Sequence, residues 1–194
     1  MSSSKPGNDP PARLPRHTAR LERHTIALRV ASGNPKQVGG LLAAVIRYLG
    51  RGVRSRKGAL AYLRQRGASP SLAAQLVEEC SARRLLDDRA CAALWAEHWA
   101  RRGYAWMAIR QKLIDKGLDA EAIESAAQRL GTVADERERA RSVVAEHALR
   151  SSGRQRARLA RTLASRGFDP DLIDQILDES FDSPAKGGLA QDEC

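Results

Sequence analysis

The side chains of this sequence that could do chemistry are chiefly arginines set in short basic rows. The clearest row places Arg154, Arg158 and Arg161 at i, i+4 and i+7, on one face of a helix. A second row begins at Arg47 and extends to Arg54 if its helix continues that far. Such rows predict contact with a polyanion or an acidic protein surface. The predicted binding residues are Arg47, Arg51, Arg54, Arg101, Arg102, Arg110, Lys112, Arg154, Arg158 and Arg161.

Part of this positive charge has a structural explanation. Cations in the last turn of a helix offset its dipole, which accounts for Arg66, Lys116 and Arg166. Ion pairs with acids would occupy other arginines. The sequence therefore predicts binding by a basic face as a whole and leaves the role of each single arginine open.

The residue types that enzymes use form no recognisable site. The sequence contains no Gly-x-x-x-x-Gly-Lys-Ser/Thr, Gly-x-Gly-x-x-Gly or Gly-x-Ser-x-Gly motif. His17, His24, His98 and His147 have no set of acids or cysteines at ligand spacing. We predict that the protein is not an enzyme and has no catalytic residues, no metal and no cofactor.

The net charge of +10 is concentrated in the first half of the chain. Residues 1–36 carry 7 basic and 2 acidic groups, and residues 37–86 carry 9 and 2. Residues 87–134 balance at 7 and 7, residues 135–180 at 9 and 9, and residues 181–194 carry 1 and 3. The positive field that would attract an anionic partner therefore belongs mainly to the N-terminal part.

The apolar runs and the cysteines predict the compartment. The longest apolar run, Leu41 to Ile46, is far below the roughly 20 residues of a spanning helix, so no membrane is expected. Cys80, Cys91 and Cys194 are too few and too irregular for a disulfide framework or a metal site. We expect a cytoplasmic protein in which Cys80 and Cys91 are small core residues.

A pattern with a period of 50 residues organises the chain. Gly67, Gly117 and Gly167 are spaced by 50, and each follows a leucine and a basic residue at the same offsets. Residues that cap helices follow each glycine after two positions: Ser69, Asp119 and Asp169. A fixed period in this range is typical of a repeat architecture.

The helices that must position the basic rows follow from this repeat. Apolar residues three or four apart predict three helices per module, and strand signals are scarce. Asp87 and Asp88 suit the start of a helix. The sequence predicts an all-α fold of three tandem three-helix modules forming an elongated, curved helical repeat. The predicted segments are a basic, disordered arm at 1–36, modules at 37–86, 87–134 and 135–180, and a flexible tail at 181–194.

One stretch carries a resemblance to a known family. Residues 85–117 read LLDDRACAALWAEHWARRGYAWMAIRQKLIDKG, with a Leu-Leu-Asp-Asp start and an Ile-Arg-x-x-Leu-x-x-Lys-Gly end. This stretch resembles the signature of the RecX family of bacterial regulatory proteins, and the similarity extends over roughly residues 37–180. Two features depart from the family pattern. Cys91 stands where the family usually has an aromatic residue, and Tyr104-Ala105-Trp106 lengthens the turn after Gly103 with two aromatic residues.

The resemblance implies a non-enzymatic modulator of the RecA recombinase. RecX-like proteins bind the RecA filament on single-stranded DNA, lie along its groove, and inhibit its ATPase, strand-exchange and coprotease activities. The implied role is in recombinational DNA repair and the SOS response. A weak direct contact with DNA is left open. We expect a monomer, because a closed oligomer would hide the surface that a filament needs.

Two other hypotheses stay open on the residues alone. A direct DNA-binding helical repeat protein would bind bare DNA with a steep salt dependence, without RecA. A helical scaffold would instead bind an unknown protein partner. The DNA-binding hypothesis gains if the arginine rows lie on a face that is free of acids.

Overall fold

The computed structural model describes residues 34–131, 133–148 and 155–181. Within these ranges the secondary structure is helical, without a strand. The helices are α1 (Pro35–Leu49), α2 (Arg56–Gln65), α3 (Pro70–Ala82), α4 (Asp88–Arg101), α5 (Trp106–Asp115), α6 (Ala120–Leu130), α7 (Val133–Ala148), α8 (Gln155–Ser165) and α9 (Pro170–Phe181). The predicted all-α helical repeat is confirmed. Its elongated, curved shape and its module boundaries stay predictions, and almost all of the predicted arm and tail lies outside the described residues.

The three glycines of the repeat end the second helix of each module. Gly67, Gly117 and Gly167 have φ of +82°, +76° and +83°, a left-handed conformation that glycine adopts without steric cost. In each turn a leucine lies four residues before the glycine, and its carbonyl accepts a hydrogen bond from the amide of the residue after the glycine, over 3.1 to 3.3 Å. This is the bonding of a Schellman motif, so the repeated glycines are helix stop signals.

The predicted capping residues start the third helix of each module. Ser69, Asp119 and Asp169 each accept a hydrogen bond from a backbone amide two or three residues on, over 3.3, 2.8 and 2.9 Å. Asp87 does the same for α4, because its Oδ1 accepts from the Ala90 amide over 3.0 Å. These four caps satisfy amides that lack partners within their own helices.

The second basic row does not lie on one helix. The helix carrying Arg47 does not continue through Arg51 and Arg54, because α1 ends at Leu49 with its C-cap at Gly50. Arg51 and Arg54 therefore follow α1, and the condition on which this row depended is not met.

The chain forms two compact units. Unit 1 consists of residues 34–98 with 110–129, and unit 2 of residues 99–109 with the described part of 130–181. The core of unit 1 includes Val45, Leu63 and Leu76, whose side chains are inaccessible to solvent. In unit 2, Leu163 and Ile176 have the same burial. Each unit therefore has an apolar core of its own.

The two cysteines of the described residues are core residues, as predicted. Cys80 belongs to the core of α1 to α3, and Cys91 is buried on α4. Burial raises the pKa of the Cys80 thiol to about 11 and that of the Cys91 thiol to about 12. Both thiols are therefore protonated at neutral pH and serve as small apolar side chains.

Among the described helices, none has the length and apolarity required to cross a bilayer.

Candidate functional site

A hydrogen-bonded joint in unit 1 fixes the start of α2. The buried Ser55 caps α2, since its Oγ accepts from the Gly58 amide over 3.1 Å, and it also donates to the Lys116 carbonyl over 2.7 Å. The next amide, that of Arg56, donates to the Asp88 carboxylate over 2.9 Å. Asp88 therefore caps α2, a helix of the preceding module, rather than the helix that it begins. Burial raises the pKa of the Asp88 carboxyl, against the effect of this hydrogen bond.

A related joint lies in unit 2, where a backbone amide takes the place of the Ser55 hydroxyl and Glu136 takes the place of Asp88. The Ala105 amide donates to the Arg166 carbonyl over 3.0 Å, and the Trp106 amide donates to the Glu136 carboxylate over 3.0 Å. The partners at 105, 106 and 166 lie 50 residues after Ser55, Arg56 and Lys116. The start of one module's second helix is therefore held by the next module, through a carbonyl at a helix end and a carboxylate at a helix start.

The part of unit 1 formed by residues 37–86 carries an excess of positive charge. Residues 37–86 contain only two acids, and both are in ion pairs: Glu78 with Arg56 over 2.6 Å, and Glu79 with Arg83. The basic residues of this segment that form no ion pair with a described acid are Arg47, Arg51, Arg54, Lys57, Arg64, Arg66 and Arg84. Unpaired cations at this density attract anionic partners.

Four side chains in this region form a stack that we call the tyrosine column: Arg54, Tyr48, Tyr62 and Arg66. The rings of Tyr48 and Tyr62 are stacked, with centroids 4.3 Å apart and planes 10° from parallel. The Arg54 guanidinium lies 4.6 Å from the Tyr48 centroid, and that of Arg66 lies 5.1 Å from the Tyr62 centroid. Both distances allow cation–π attraction. The column joins the end of α1 to α2 and presents a guanidinium at each end.

Lys116 adds a further cation on the other side of the joint. Its ammonium lies 4.5 Å from the centroid of the Trp95 ring. Burial lowers the pKa of Lys116, and the nearby Arg54 guanidinium lowers it further. The Arg54 guanidinium is therefore close enough to the Lys116 ammonium for the two charges to repel each other.

The predicted binding residues of unit 1 differ in their surroundings. Arg47 and Arg51 are exposed at and just after the end of α1, and Arg47 donates to the Ala43 carbonyl over 3.3 Å. Arg54 is partly buried in the tyrosine column. On α5, Arg110 is exposed and Lys112 is partly buried. Of the predicted residues in unit 1, Arg54 alone belongs to the column.

The predicted binding residues of unit 2 lie at the end of α4 and on α8. Arg101 and Arg102 are exposed at the end of α4. Arg158 and Arg161 are exposed on α8, one turn apart, and form no ion pair with a described acid. Arg154 lies outside the described residues. The structure therefore describes two of the three arginines of this row, Arg158 and Arg161.

Sequence reasoning missed Tyr48, Tyr62 and Arg66 as members of a site. Their signal is the alternation of aromatic and basic residues in a segment with two acids: Tyr48 follows Arg47, and Tyr62 precedes two arginines within four residues. The stacking itself has no signature in the sequence, because the two tyrosines are 14 residues apart on different helices.

Comparison with known proteins identifies the family. A family model described as the second three-helix domain of RecX matches residues 87–126. Regulatory protein RecX of Pseudomonas fluorescens is 30% identical over 118 residues, which cover 59% of this chain and 75% of that protein. The chain belongs to the RecX family. Regulatory protein RecX of Pseudomonas savastanoi pv. phaseolicola is 32% identical over 118 residues, with the same coverage of both chains.

Two solved RecX structures share the helical repeat fold. The crystal structure of RecX from Lactobacillus salivarius matches with a TM-score of 0.64 at 21% identity, covering 74% of this chain and 96% of that one. A second crystal structure, of regulatory protein RecX, matches with a TM-score of 0.61 at 19% identity, covering 73% and 72%. At such low identity these similarities show the fold. The resemblance noted in the sequence is confirmed.

The RecX segment matched by the family model contains residues of both joints. Asp88 and Lys116 accept the hydrogen bonds of the joint in unit 1, whereas Ala105 and Trp106 donate those of the joint in unit 2. The middle module of this RecX-family protein is therefore bonded in the same manner to the module before it and to the module after it.

Proposed function

We propose that this protein is a negative regulator of RecA that binds the RecA filament on single-stranded DNA. In this proposal it inhibits the ATPase, strand-exchange and coprotease activities of the filament, and so modulates recombinational DNA repair and the SOS response. It acts in the cytoplasm, as a monomer, without catalysis of its own. The observation that carries the proposal is membership of the RecX regulatory family.

The charge distribution supports a filament as partner. A filament on DNA presents phosphates and protein surface along its whole length, and the exposed arginines of both units can pair with anions on it. The predicted arginines of the described ranges form no ion pair with described acids, so no described carboxylate competes for their guanidinium groups. The acids instead neutralise other arginines, including Arg56, Arg137 and Arg141.

Binding to the filament can be tested with matched variants of unit 2. The double variant R158A/R161A removes two exposed, unpaired cations from α8, whereas R137A/R141A removes two cations that are paired with Glu179. Both variants lose the same net charge. We expect R158A/R161A to weaken cosedimentation with RecA filaments assembled on single-stranded DNA, and R137A/R141A to bind nearly as the unmodified protein does. Equal loss in both variants would contradict a role for the α8 row.

A direct DNA-binding function is the second candidate, and the acid-poor segment of unit 1 favours it. Both acids of residues 37–86 are paired, and seven basic residues of this segment form no ion pair with any acid that the structure describes. A protein of this kind would bind bare DNA tightly, with log K falling linearly against log salt concentration. Binding to bare DNA that matches binding to the filament would favour this candidate over the RecA regulator.

A further inference from the structure

The tyrosine column has a chemical composition that suits unpaired nucleobases. Aromatic rings and guanidinium planes both stack on bases, and guanidinium N–H groups also bond to phosphate. Tyr48 and Tyr62 are partly exposed, Arg66 is exposed, and Arg54 is partly exposed. The two rings cover each other, and a guanidinium lies over the other face of each ring. The column therefore offers the outer faces of its two guanidinium groups as stacking surfaces.

The charge of the segment that carries the column, residues 37–86, favours a phosphate backbone. No carboxylate of residues 37–86 is left unpaired, because Glu78 and Glu79 are bound to Arg56 and Arg83. Two further exposed cations flank Tyr48 in the chain: Arg47 before it and Arg51 three residues after it. A strand whose base stacks on the column would have its adjacent phosphates within a region of positive charge.

We propose that the tyrosine column is a contact site for single-stranded nucleic acid, in which bases stack on the outer faces of the Arg54 and Arg66 guanidinium groups, the two tyrosine rings hold those groups in place, and phosphates pair with the surrounding arginines. A duplex fits less well, because its bases are stacked on one another and their faces are covered. This inference goes beyond the RecA proposal, since contact with the strand requires no RecA. Its test uses bare DNA, so its failure leaves the RecA proposal untouched.

Substitutions that keep charge separate stacking from electrostatic attraction. In R54K/R66K the positive charge is kept, but the planar groups that stack are lost. The control R64K/R84K makes the same change at two exposed arginines outside the column. Binding of the full-length protein to a fluorescently labelled oligothymidine is followed by anisotropy at several salt concentrations. We expect R54K/R66K to bind about tenfold more weakly, the size of effect measured for base–aromatic stacking, and the control to change by less than about twofold.

The salt dependence provides an independent readout. Because neither double variant changes the number of cations, the slope of log K against log salt should be the same for both and for the unmodified protein. Equal affinity of R54K/R66K and R64K/R84K would overturn the proposal, because the column would then contribute charge alone.

A tyrosine pair tests the aromatic part of the column. Tyr62→Phe keeps the ring and should bind the oligothymidine within about twofold of the unmodified protein, whereas Tyr62→Leu should weaken binding about as much as R54K/R66K does. Far-UV circular dichroism reports whether Tyr62→Leu is folded; if it is not, the arginine pair decides. Competition with polyglutamate tests whether the partner is instead an acidic protein. Polyglutamate and unlabelled oligothymidine are compared as competitors at equal total charge. Equal displacement of the labelled oligothymidine by both would overturn the nucleic-acid assignment in favour of an acidic protein.

Discussion

Replacement of Gly167 by alanine should destabilise the protein much more than replacement of Gly67. Both residues have nearly the same left-handed φ, +83° and +82°, so the strain of a left-handed alanine, about 1 kcal/mol, is common to both variants. A Cβ at position 67 would have no atom within 4 Å. A Cβ at position 167 would lie 2.7 Å from the Cβ of Ala108 and 3.2 Å from its backbone nitrogen.

The added cost at position 167 comes from the joint of unit 2. The backbone of α5 cannot retreat easily from the new methyl group, because the Ala105 amide is bonded to the Arg166 carbonyl beside it. Overpacking of this kind costs about 1 to 3 kcal/mol. The expected losses in unfolding free energy are therefore about 1 kcal/mol for Gly67→Ala and about 2 to 4 kcal/mol for Gly167→Ala.

Thermal unfolding followed by circular dichroism at 222 nm measures this difference. For a chain of this length, each kcal/mol lowers the midpoint by about 2 to 4 °C, so we expect about 3 °C for Gly67→Ala and at least about 6 °C for Gly167→Ala. Equal shifts in the two variants would refute the close packing of the Gly167 turn against α5, and with it the joint of unit 2.

Two further predictions concern Asp88 and the buried thiols. Asp88→Ala removes the acceptor of the Arg56 amide and should cost about 1 kcal/mol in urea unfolding, whereas Asp88→Asn keeps an acceptor oxygen and should cost less. Burial raises the pKa of the folded Asp88 carboxyl above the 3.8 of the unfolded chain, so the folded state favours the protonated form. The contribution of this carboxyl to stability is therefore lost as pH rises from the unfolded pKa through the folded pKa. Asp88→Asn does not ionise and should reduce this dependence of stability on pH. In a Cys194→Ser background, Cys80 and Cys91 should react with a disulfide reagent at pH 8 only after denaturation, because both are buried protonated thiols. Rapid labelling of the native protein would contradict their placement in the core.

The helix ends could be predicted from the sequence because their signals are local. The glycine of each turn and the capping residue two positions later determine where one helix stops and the next begins, as at Gly117 and Asp119. A glycine also ends α1, whose C-cap is Gly50. The row of arginines from Arg47 to Arg54 depended on this helix continuing, and the glycine stops it.

The joints and the tyrosine column could not be predicted, because their partners are distant in the chain. Ser55 and Lys116 are 61 residues apart, and Arg56 and Asp88 are 32 apart. The period of 50 indicates that modules repeat, but it does not give the register in which one module meets the next. Asp88 illustrates the limit: its position predicts a cap, and the structure shows that it caps a helix of the preceding module.

The single-stranded-DNA-dependent ATPase of RecA, measured with this protein titrated well below the RecA concentration, tests the proposed function most directly. We predict inhibition at substoichiometric amounts, because a regulator bound to a filament affects many RecA subunits. Unchanged ATP hydrolysis, with the protein shown to bind the same DNA in the absence of RecA, would contradict it and leave a DNA-binding helical repeat protein.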